Sequence, residues 1–176
     1  MTGEPYLRDV TERFRAYQQK AERAIAQVSD EAFFALVDEQ SNSIAQLVKH
    51  LAGNLRSRWR DVLTTDGEKL DRNRDAEFDI GPRDTRDALL TRWREAFGTL
   101  YAGLGDLPRD DLARTIYIRK EPHSLYQAIS RSLTHVAEHV GQIVLLAKHF
   151  SGENWQTLSI ARGKSGEFNR LQGMSD

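Results

Sequence analysis

Apolar residues recur at spacings of three and four along four stretches of the chain, which is the spacing of one face of an α-helix. The four stretches cover residues 7–28, 43–62, 84–104 and 124–150. Between the first two stretches, Asp30 is predicted to cap a short turn. The pattern therefore predicts four long amphipathic helices, each with one apolar stripe that packs against the others.

Three of the predicted helices begin at recognisable signals. Ser43 precedes Gln46 by three residues, and Ser124 precedes Gln127 by three. This spacing is that of a capping box, in which each side chain bonds the backbone N–H of the other residue. The third helix follows a Gly-Pro pair, and Asp84 is its predicted cap.

Four helices with one apolar stripe each predict an all-α four-helix bundle. Residues 64–82 form a long polar connection, which predicts a crossover that leaves the second and third helices roughly parallel. Residues 113–119 alternate like a strand and predict a short extended connector before the fourth helix, with a piece of the crossover as candidate partner. We expect a single domain over residues 1–176, with a core at about 4–152 and a C-terminal tail at 153–176.

The composition narrows the function classes. The 176 residues carry 25 basic and 26 acidic side chains, and a formal net charge of −1 argues against a dedicated DNA-binding protein. The chain has no cysteine, which excludes disulfides, thiolate metal sites and cysteine nucleophiles. No apolar run reaches the ~18 residues of a membrane span, and residues 1–20 lack the apolar run of a signal peptide. We therefore expect a cytoplasmic protein that binds neither nucleic acid nor membranes.

Two of the five histidines have the spacing of a metal site. His135 and His139 are four residues apart, so both rings lie on one helix face and can reach one ion. They flank the apolar stripe of the fourth helix, and His50 flanks that of the second. Three neutral imidazoles with an open position are the donor set of a catalytic zinc-type site. His149 lies too far along the helix and His123 precedes it, so neither is expected to join them.

The same three histidines have an alternative interpretation without a metal, as partly buried, hydrogen-bonded bundle residues or as plain surface groups. Arg56, Arg58 and Arg60 follow His50 on the second helix. At a spacing of two they point in different directions, so at most one or two can face an acidic substrate. A solvated and salt-bridged helix surface is the alternative for this cluster.

A short part of the second helix is similar to the end of the fourth. Residues 44–53 read IAQLVKHLAG, and residues 143–152 read IVLLAKHFSG. Ten positions are too few to separate a duplicated helix pair from coincidence. The two glycines also differ in predicted place, because Gly53 lies inside a helix and Gly152 ends one.

At these histidines the chain resembles the DinB-like (YfiT-like) superfamily of metal-dependent four-helix-bundle proteins. The matching features are a histidine midway along the second helix (LVKHLAGNLRSRW, 47–59), a long crossover, and a late His-x-x-x-His (HVAEHVGQIVLLAKH, 135–149). The strings TTDGEKLDRNRDAEF (64–78) and LSIARGKSGEFN (158–169) resemble an uncharacterised branch of that superfamily, a domain of unknown function. The resemblance covers nearly the whole chain.

The resemblance implies a function beyond what the residue pattern indicates. It implies that the metal ligands are His50, His135 and His139, and that zinc or nickel is the ion. It implies a thiol S-transferase that uses a low-molecular-weight thiol such as bacillithiol or mycothiol, or a thiol-dependent isomerase. It also implies a homodimer that acts on a small-molecule substrate.

Three function classes remain open from the sequence. The first is a metal-dependent transferase, whose ion would lower the pKa of a bound thiol. The second is a metal-dependent hydrolase that uses metal-bound water, including an inverted zinc-peptidase motif in HVAEH with Glu138 as general base. The third is a non-enzymatic bundle that holds a structural metal or a small molecule. A fourth protein ligand would favour this third class, and Asp61, Glu138 and a crossover carboxylate are the candidates.

Overall fold

The computed structural model describes residues 3–174 and is mostly helical, as predicted. Within these residues it has six α-helices, two short 3₁₀ turns and one two-stranded antiparallel sheet. The helices are α1 (Glu4–Ile25), α2 (Asp30–Phe34), α3 (Ile44–Trp59), α4 (Arg86–Gly105), α5 (Leu125–Ser151) and α6 (Ser165–Leu171). The strands are β1 (Thr115–Ile118) and β2 (Glu121–Ser124), and the 3₁₀ turns are Asp75–Glu77 and Gly152–Asn154.

Both predicted capping boxes are confirmed. The Ser43 hydroxyl accepts a hydrogen bond from the Gln46 backbone N–H, and the Gln46 side-chain oxygen accepts one from the Ser43 N–H. Ser124 and Gln127 make the same reciprocal pair at the start of α5. The sequence therefore fixes where both helices that carry the candidate histidines begin.

The other two predicted caps are wrong by one residue. Ser29, not Asp30, caps α2, because its hydroxyl accepts from the Ala32 N–H. Thr85, not Asp84, caps α4 by the same type of bond. The Asp84 carboxylate instead accepts from the Gly81 N–H, so it lies in the turn that precedes the helix.

The second helix is shorter than predicted. Helix α3 ends at Trp59, because Arg60 has extended backbone angles and Asp61 has a φ of 50°. Val62 is nevertheless buried, although it lies beyond the helix. A buried apolar residue past the helix end therefore prolonged the apparent helical period.

Helices α3 and α4 run in the same direction. Near their starts, the Lys49 ammonium contacts the Asp84 carboxylate at 2.9 Å. Near their ends, Gly103 packs so closely on Trp59 that an added Cβ would lie 2.9 Å from the Trp59 carbonyl oxygen. The long crossover, residues 60–85, spans the length of this pair.

Helices α1 and α5 also run in the same direction. The Tyr6 and Tyr126 rings pack near the two helix starts, with centroids 5.1 Å apart, and the Ser151 hydroxyl donates to the Gln27 carbonyl oxygen near the two ends. This pair lies antiparallel to the other, since Trp59 near the end of α3 bonds Ser132 near the start of α5. The largest fully buried side chains are Trp93, Phe14, Phe33, Phe97, Ile25, Ile44, Leu47, Leu51, Leu55, Leu89, Leu100 and Leu107.

The predicted extended connector is one strand of a hairpin. Strand β1 pairs with β2, not with the crossover, and Arg119 and Lys120 form the turn with φ values of 55° and 64°. The crossover contributes a single backbone bond, from the Gly67 N–H to the Tyr117 carbonyl oxygen at 2.8 Å. The short polar strand β2 (EPHS) has no apolar alternation, so the sequence pattern did not reveal it.

The tail after α5 packs on the core only at its start. Trp155 and Leu158 are partly buried against the core, whereas α6 is exposed. None of the helices between residues 3 and 174 is long and apolar enough to cross a membrane.

Candidate metal centre

Three histidines meet where α3 crosses α5. The His135 Nε2 atom lies 3.2 Å from the His50 Nε2 and 3.2 Å from the His139 Nε2. One ring nitrogen from each of the three lies within 4.8 Å of the others. The buried bond from Trp59 Nε1 to Ser132 Oγ, at 3.0 Å, holds the two helices in the register that brings the rings together.

In two of the three rings the Nδ1 nitrogen makes a hydrogen bond away from the cluster. The Nε2 lone pair of each of these rings is therefore directed at the centre of the cluster. The His50 Nδ1 lies 2.8 Å from a Glu77 carboxylate oxygen, and the His139 Nδ1 lies 3.1 Å from the Gln142 side-chain oxygen. Each oxygen is an acceptor in this contact, so each Nδ1 carries the proton and each Nε2 is a bare acceptor. A proton on the His135 Nε2 can form a hydrogen bond to only one of these two acceptors. A cation at the centre would satisfy all three lone pairs.

The nitrogen spacing suits a small divalent ion. Tetrahedral zinc with Zn–N bonds of about 2.0–2.1 Å separates its nitrogen ligands by about 3.3 Å. The two measured Nε2–Nε2 distances of 3.2 Å are close to that separation. Within residues 3–174, the buried Nδ1 of His135 has no hydrogen-bond partner, so hydrogen bonding alone does not account for this ring.

Burial keeps two of the three rings in the form that binds metals. Burial, together with the charges of His139, His50, Arg72 and Arg58, lowers the pKa of His135 to about 3. Burial also lowers the pKa of His139, although its bond to Gln142 opposes that shift. Metal ions bind the neutral imidazole, so these two rings are ready to bind without first losing a proton at pH 7.

The crossover supplies the support of His50. The Glu77 carboxylate accepts from the His50 ring and also forms a two-pronged ion pair with the Arg72 guanidinium, at 2.8 and 2.9 Å. On its own, burial raises the pKa of Glu77, but the bonds from His50 and Arg72 outweigh it and the pKa lies below its ordinary value. The Phe78 ring stacks on His50 with centroids 4.8 Å apart.

The absence of a side chain at Gly53 leaves space for the Glu77 carboxylate that supports His50. Gly53 lies one turn after His50, and a Cβ there would be 2.1 Å from a Glu77 carboxylate oxygen. Any larger residue at position 53 would therefore push the carboxylate away. The Glu77–His50 bond depends on a glycine at this position of α3.

An open cavity of about 280 Å³ adjoins the histidines. His50 and His135 form part of its wall, so a ligand in the cavity can reach the centre of the cluster. The remaining lining residues are mostly polar: Asn54, Arg58, Arg72, Arg74, Arg119, Ala128, Arg131, Ser132, Thr134 and Glu138. The open side favours a site at which a substrate reacts over a closed structural one.

The predicted arginine cluster divides between the cavity and the surface. Arg58 lines the cavity, where its guanidinium binds the Gly67 carbonyl oxygen and the Glu68 carboxylate. Arg56 and Arg60 pair with the exposed carboxylate of Asp71. One of the three thus faces the candidate site, and the other two belong to a salt-bridged surface.

The candidate acidic ligands lie outside the nitrogen cluster. Glu138 is exposed and lines the cavity beside His135. Asp61 is exposed and follows the end of α3, and the crossover carboxylate Glu77 bonds the outer nitrogen of His50. In the described part of the chain, the metal-binding group consists of three histidines without a carboxylate.

The sequence pattern did not reveal the residues of the crossover that complete the site. Glu77, Phe78 and Arg72 lie in a stretch without helical or strand period, so no pattern distinguished them from the other charged residues there. His123 and His149 lie outside the cluster, as expected.

The fold and the site define a class: a mostly helical protein whose three histidines could hold a metal ion. The chain belongs to the family described as "Protein of unknown function (DUF1572)", which matches residues 1–164. A search of curated proteins and a search of solved structures found no significant match. The family is an uncharacterised one.

Proposed function

We propose that this chain is a metal-dependent transferase of the DinB-like four-helix-bundle type, which activates a low-molecular-weight thiol at His50, His135 and His139. The observation that carries the proposal is the convergence of three Nε2 atoms beside an open cavity. A divalent ion held there, zinc or nickel, supplies the positive charge that keeps a thiol deprotonated near neutral pH.

The chain's own residues have separate roles in this reaction. The three imidazoles hold the ion, and Glu77 fixes the proton of His50 on Nδ1 so that its Nε2 faces inward. Because the chain has no cysteine, the thiol belongs to a substrate that enters the cavity. The sulfur forms a bond to an electrophilic carbon of the second substrate, whose leaving group departs with its electron pair. Glu138, on the cavity wall, accepts the thiol proton at its carboxylate.

Metal analysis and thiol transfer together test this function. Protein purified without chelator or affinity tag should contain about one transition ion per chain. A panel of low-molecular-weight thiols with an activated electrophile should give turnover that chelation abolishes and added zinc or nickel restores. The variant His135→Ala should lose both the ion and the turnover. Failure to bind any ion would refute the metal site. Absence of turnover with every thiol of the panel would refute the transferase function.

A hydrolase that activates water at the same site is the second candidate. The exposed Glu138 carboxylate beside His135 favours it, since a general base at that position could take a proton from water. The peptidase form is not favoured, because the motif requires a carboxylate ligand and the described cluster has none. Ester hydrolysis by the metal-loaded protein without thiol would favour the hydrolase over the transferase.

The homodimer implied by the resemblance is part of this proposal. Sedimentation of the metal-loaded chain should give a mass twice that of the 20.1 kDa monomer. A monomer at micromolar concentration would refute the proposed dimer but not the proposed metal site, because all three histidines belong to one chain.

A further inference from the structure

The wall of the cavity beside the histidines is rich in arginine. Five of its lining residues are arginines from four parts of the chain: Arg58, Arg72, Arg74, Arg119 and Arg131. They come from α3, the crossover, the hairpin turn and α5. One lining residue, Glu138, carries a negative charge. The whole chain has a net charge of −1, so this concentration of positive charge is local.

The neighbouring carboxylates neutralise these arginines only in part. One carboxylate, Glu68, contacts Arg58 at 3.2 Å, Arg72 at 3.2 Å and Arg119 at 3.3 Å. Glu77 contacts Arg72 but is shared with His50. Two carboxylates among three guanidinium groups, one of them also bound to His50, leave excess positive charge facing the cavity.

Two arginines of the wall have guanidinium N–H donors that can still bind a ligand. Arg131 is exposed and makes no ion pair with any residue between positions 3 and 174. Arg74 lies over the Phe78 ring, and its nearest carboxylate, Asp75, is 3.9 Å away and almost fully exposed. Arg131 precedes His135 by one helix turn, so its guanidinium is on the same side of α5 as the metal-binding ring.

An amide in the same wall is open to the cavity. Asn54 is 8% exposed as a residue and lines the cavity, and its side chain makes no hydrogen bond within the described chain. Between residues 3 and 174, the fully buried side-chain polar atom without a partner is the His135 Nδ1, so the amide atoms of Asn54 are in contact with the cavity space. Asn54 lies one turn after His50, so its amide is available to a molecule bound between the histidines and the arginines.

We propose that the cavity binds an oxyanion group of the substrate, a carboxylate or a phosphate or sulfate type of group, between Arg131, Arg74 and Arg119. Guanidinium groups match the geometry of such anions with paired N–H donors. Asn54 and the Ser132 hydroxyl, which accepts from Trp59, offer further donors on the side of the histidines. The inference rests on the proposed function, because it names the chemical class of substrate that the three-histidine site takes.

Solution NMR with simple anions tests this proposal. The full-length protein, both metal-free and zinc-loaded, is titrated at pH 7 with sodium sulfate and with sodium acetate. Sodium chloride at matched ionic strength gives the baseline. We expect the Arg131 Nε–H and Asn54 side-chain amide signals to shift saturably in the metal-free protein, with sulfate, acetate or both.

Arg131→Gln should weaken that anion binding about tenfold or more, since hydrogen bonds between charged groups are among the strong ones. Arg94→Gln, on the exposed face of α4, is the matched control and should leave it unchanged.

Each outcome of this titration decides one point. Saturable shifts at Arg131 and Asn54 that Arg131→Gln removes support the inference, and the stronger of the two anions identifies the class. Shifts that do not saturate, or that occur equally in chloride, overturn it. Binding that needs zinc and persists in Arg131→Gln also overturns it, because the anion then binds at the ion. A protein that binds sulfate at Arg131 but no zinc would refute the proposed function and leave the anion site standing.

Discussion

Two stretches of this chain are similar in sequence but have different structural roles. Residues 44–53 and 143–152 share Ile, Leu, Lys, His and Gly at the same five of their ten positions. In the first stretch His50 is 3% exposed and joins the metal-binding cluster. In the second stretch His149 is exposed, and its ring contacts the neighbouring Phe150 ring.

The other shared positions differ in the same way. Lys49 binds the Asp84 carboxylate and the Asp79 carbonyl oxygen, whereas Lys148 is exposed. Gly53 lies within α3 against Glu77, whereas Gly152 ends α5 with a φ of 52°. The first stretch forms the first ten residues of α3 and is covered by α4, α5 and the crossover, and the second lies at the C-terminal end of α5. The elements that pack on a short pattern, and not the pattern itself, determine its chemistry.

The largest effect expected from this comparison is on metal affinity. His50→Ala removes one of three ligands and should weaken zinc binding by at least about 100-fold, beyond the usual effect of losing a supporting residue. His149→Ala, the equivalent change in the second stretch, should leave zinc binding unchanged. Competition with a chromophoric chelator measures both. Equal affinities for the two variants would contradict the assignment of His50 as a ligand.

A smaller effect is expected when the support of His50 is removed. Glu77→Gln should weaken zinc binding by about 10-fold to 100-fold, because the amide cannot hold both His50 and Arg72 as the carboxylate does. Glu68→Gln is the control, since it also removes a partner of Arg72 but does not touch His50. If Glu68→Gln lowers the affinity as much as Glu77→Gln, then Glu77 acts through Arg72 and not through His50.

Gly53 tests whether the close approach of Glu77 matters. Gly53→Ala gains helix propensity, but its Cβ overlaps the Glu77 carboxylate, and overpacking of this kind costs about 1–3 kcal/mol. Gly98→Ala in α4 meets no atom within 4 Å and should gain about 1 kcal/mol. Denaturant unfolding should therefore place Gly53→Ala below Gly98→Ala in stability. Zinc affinity should fall in Gly53→Ala alone.

The smallest effect concerns the two lysines. Lys49→Met should lower the free energy of unfolding at pH 7 by about 1 kcal/mol, whereas Lys148→Met should leave it nearly unchanged. Burial alone raises the pKa of Asp84, but the bonds from Gly81, Lys49 and Arg92 outweigh it and the pKa is lowered. The stability from this carboxylate is thus present above its ordinary pKa near 4 and is lost as the pH falls below that value. Urea unfolding from pH 7 to pH 3 should show the difference between wild type and Lys49→Met shrink, and a difference that grows would contradict the ion pair.

The histidine trio was predictable because helical spacing is a local property. His135 and His139 share a face whatever packs on it, and His50 flanks the stripe of another helix that must face the same core. Glu77, Phe78 and the arginines of the cavity were not predictable, because the crossover and the hairpin turn have no period that sets the direction of their side chains. The partner of β1 was also missed, since a four-residue polar strand gives no pattern.

The sequence by itself determined the four long helices, the two capping boxes and the pair of histidines on α5, since these depend on contacts between residues three or four apart. The tertiary structure alone decided that Glu77 and Phe78 support His50 and that Gly53 lies against the Glu77 carboxylate. It also decided the distance at which His50 meets His135. These outcomes depend on contacts between residues far apart in the chain, such as those of Glu77 and His135 with His50, which lie 27 and 85 positions from it. Such contacts form only when the packing of the apolar stripes has fixed the position and direction of each helix.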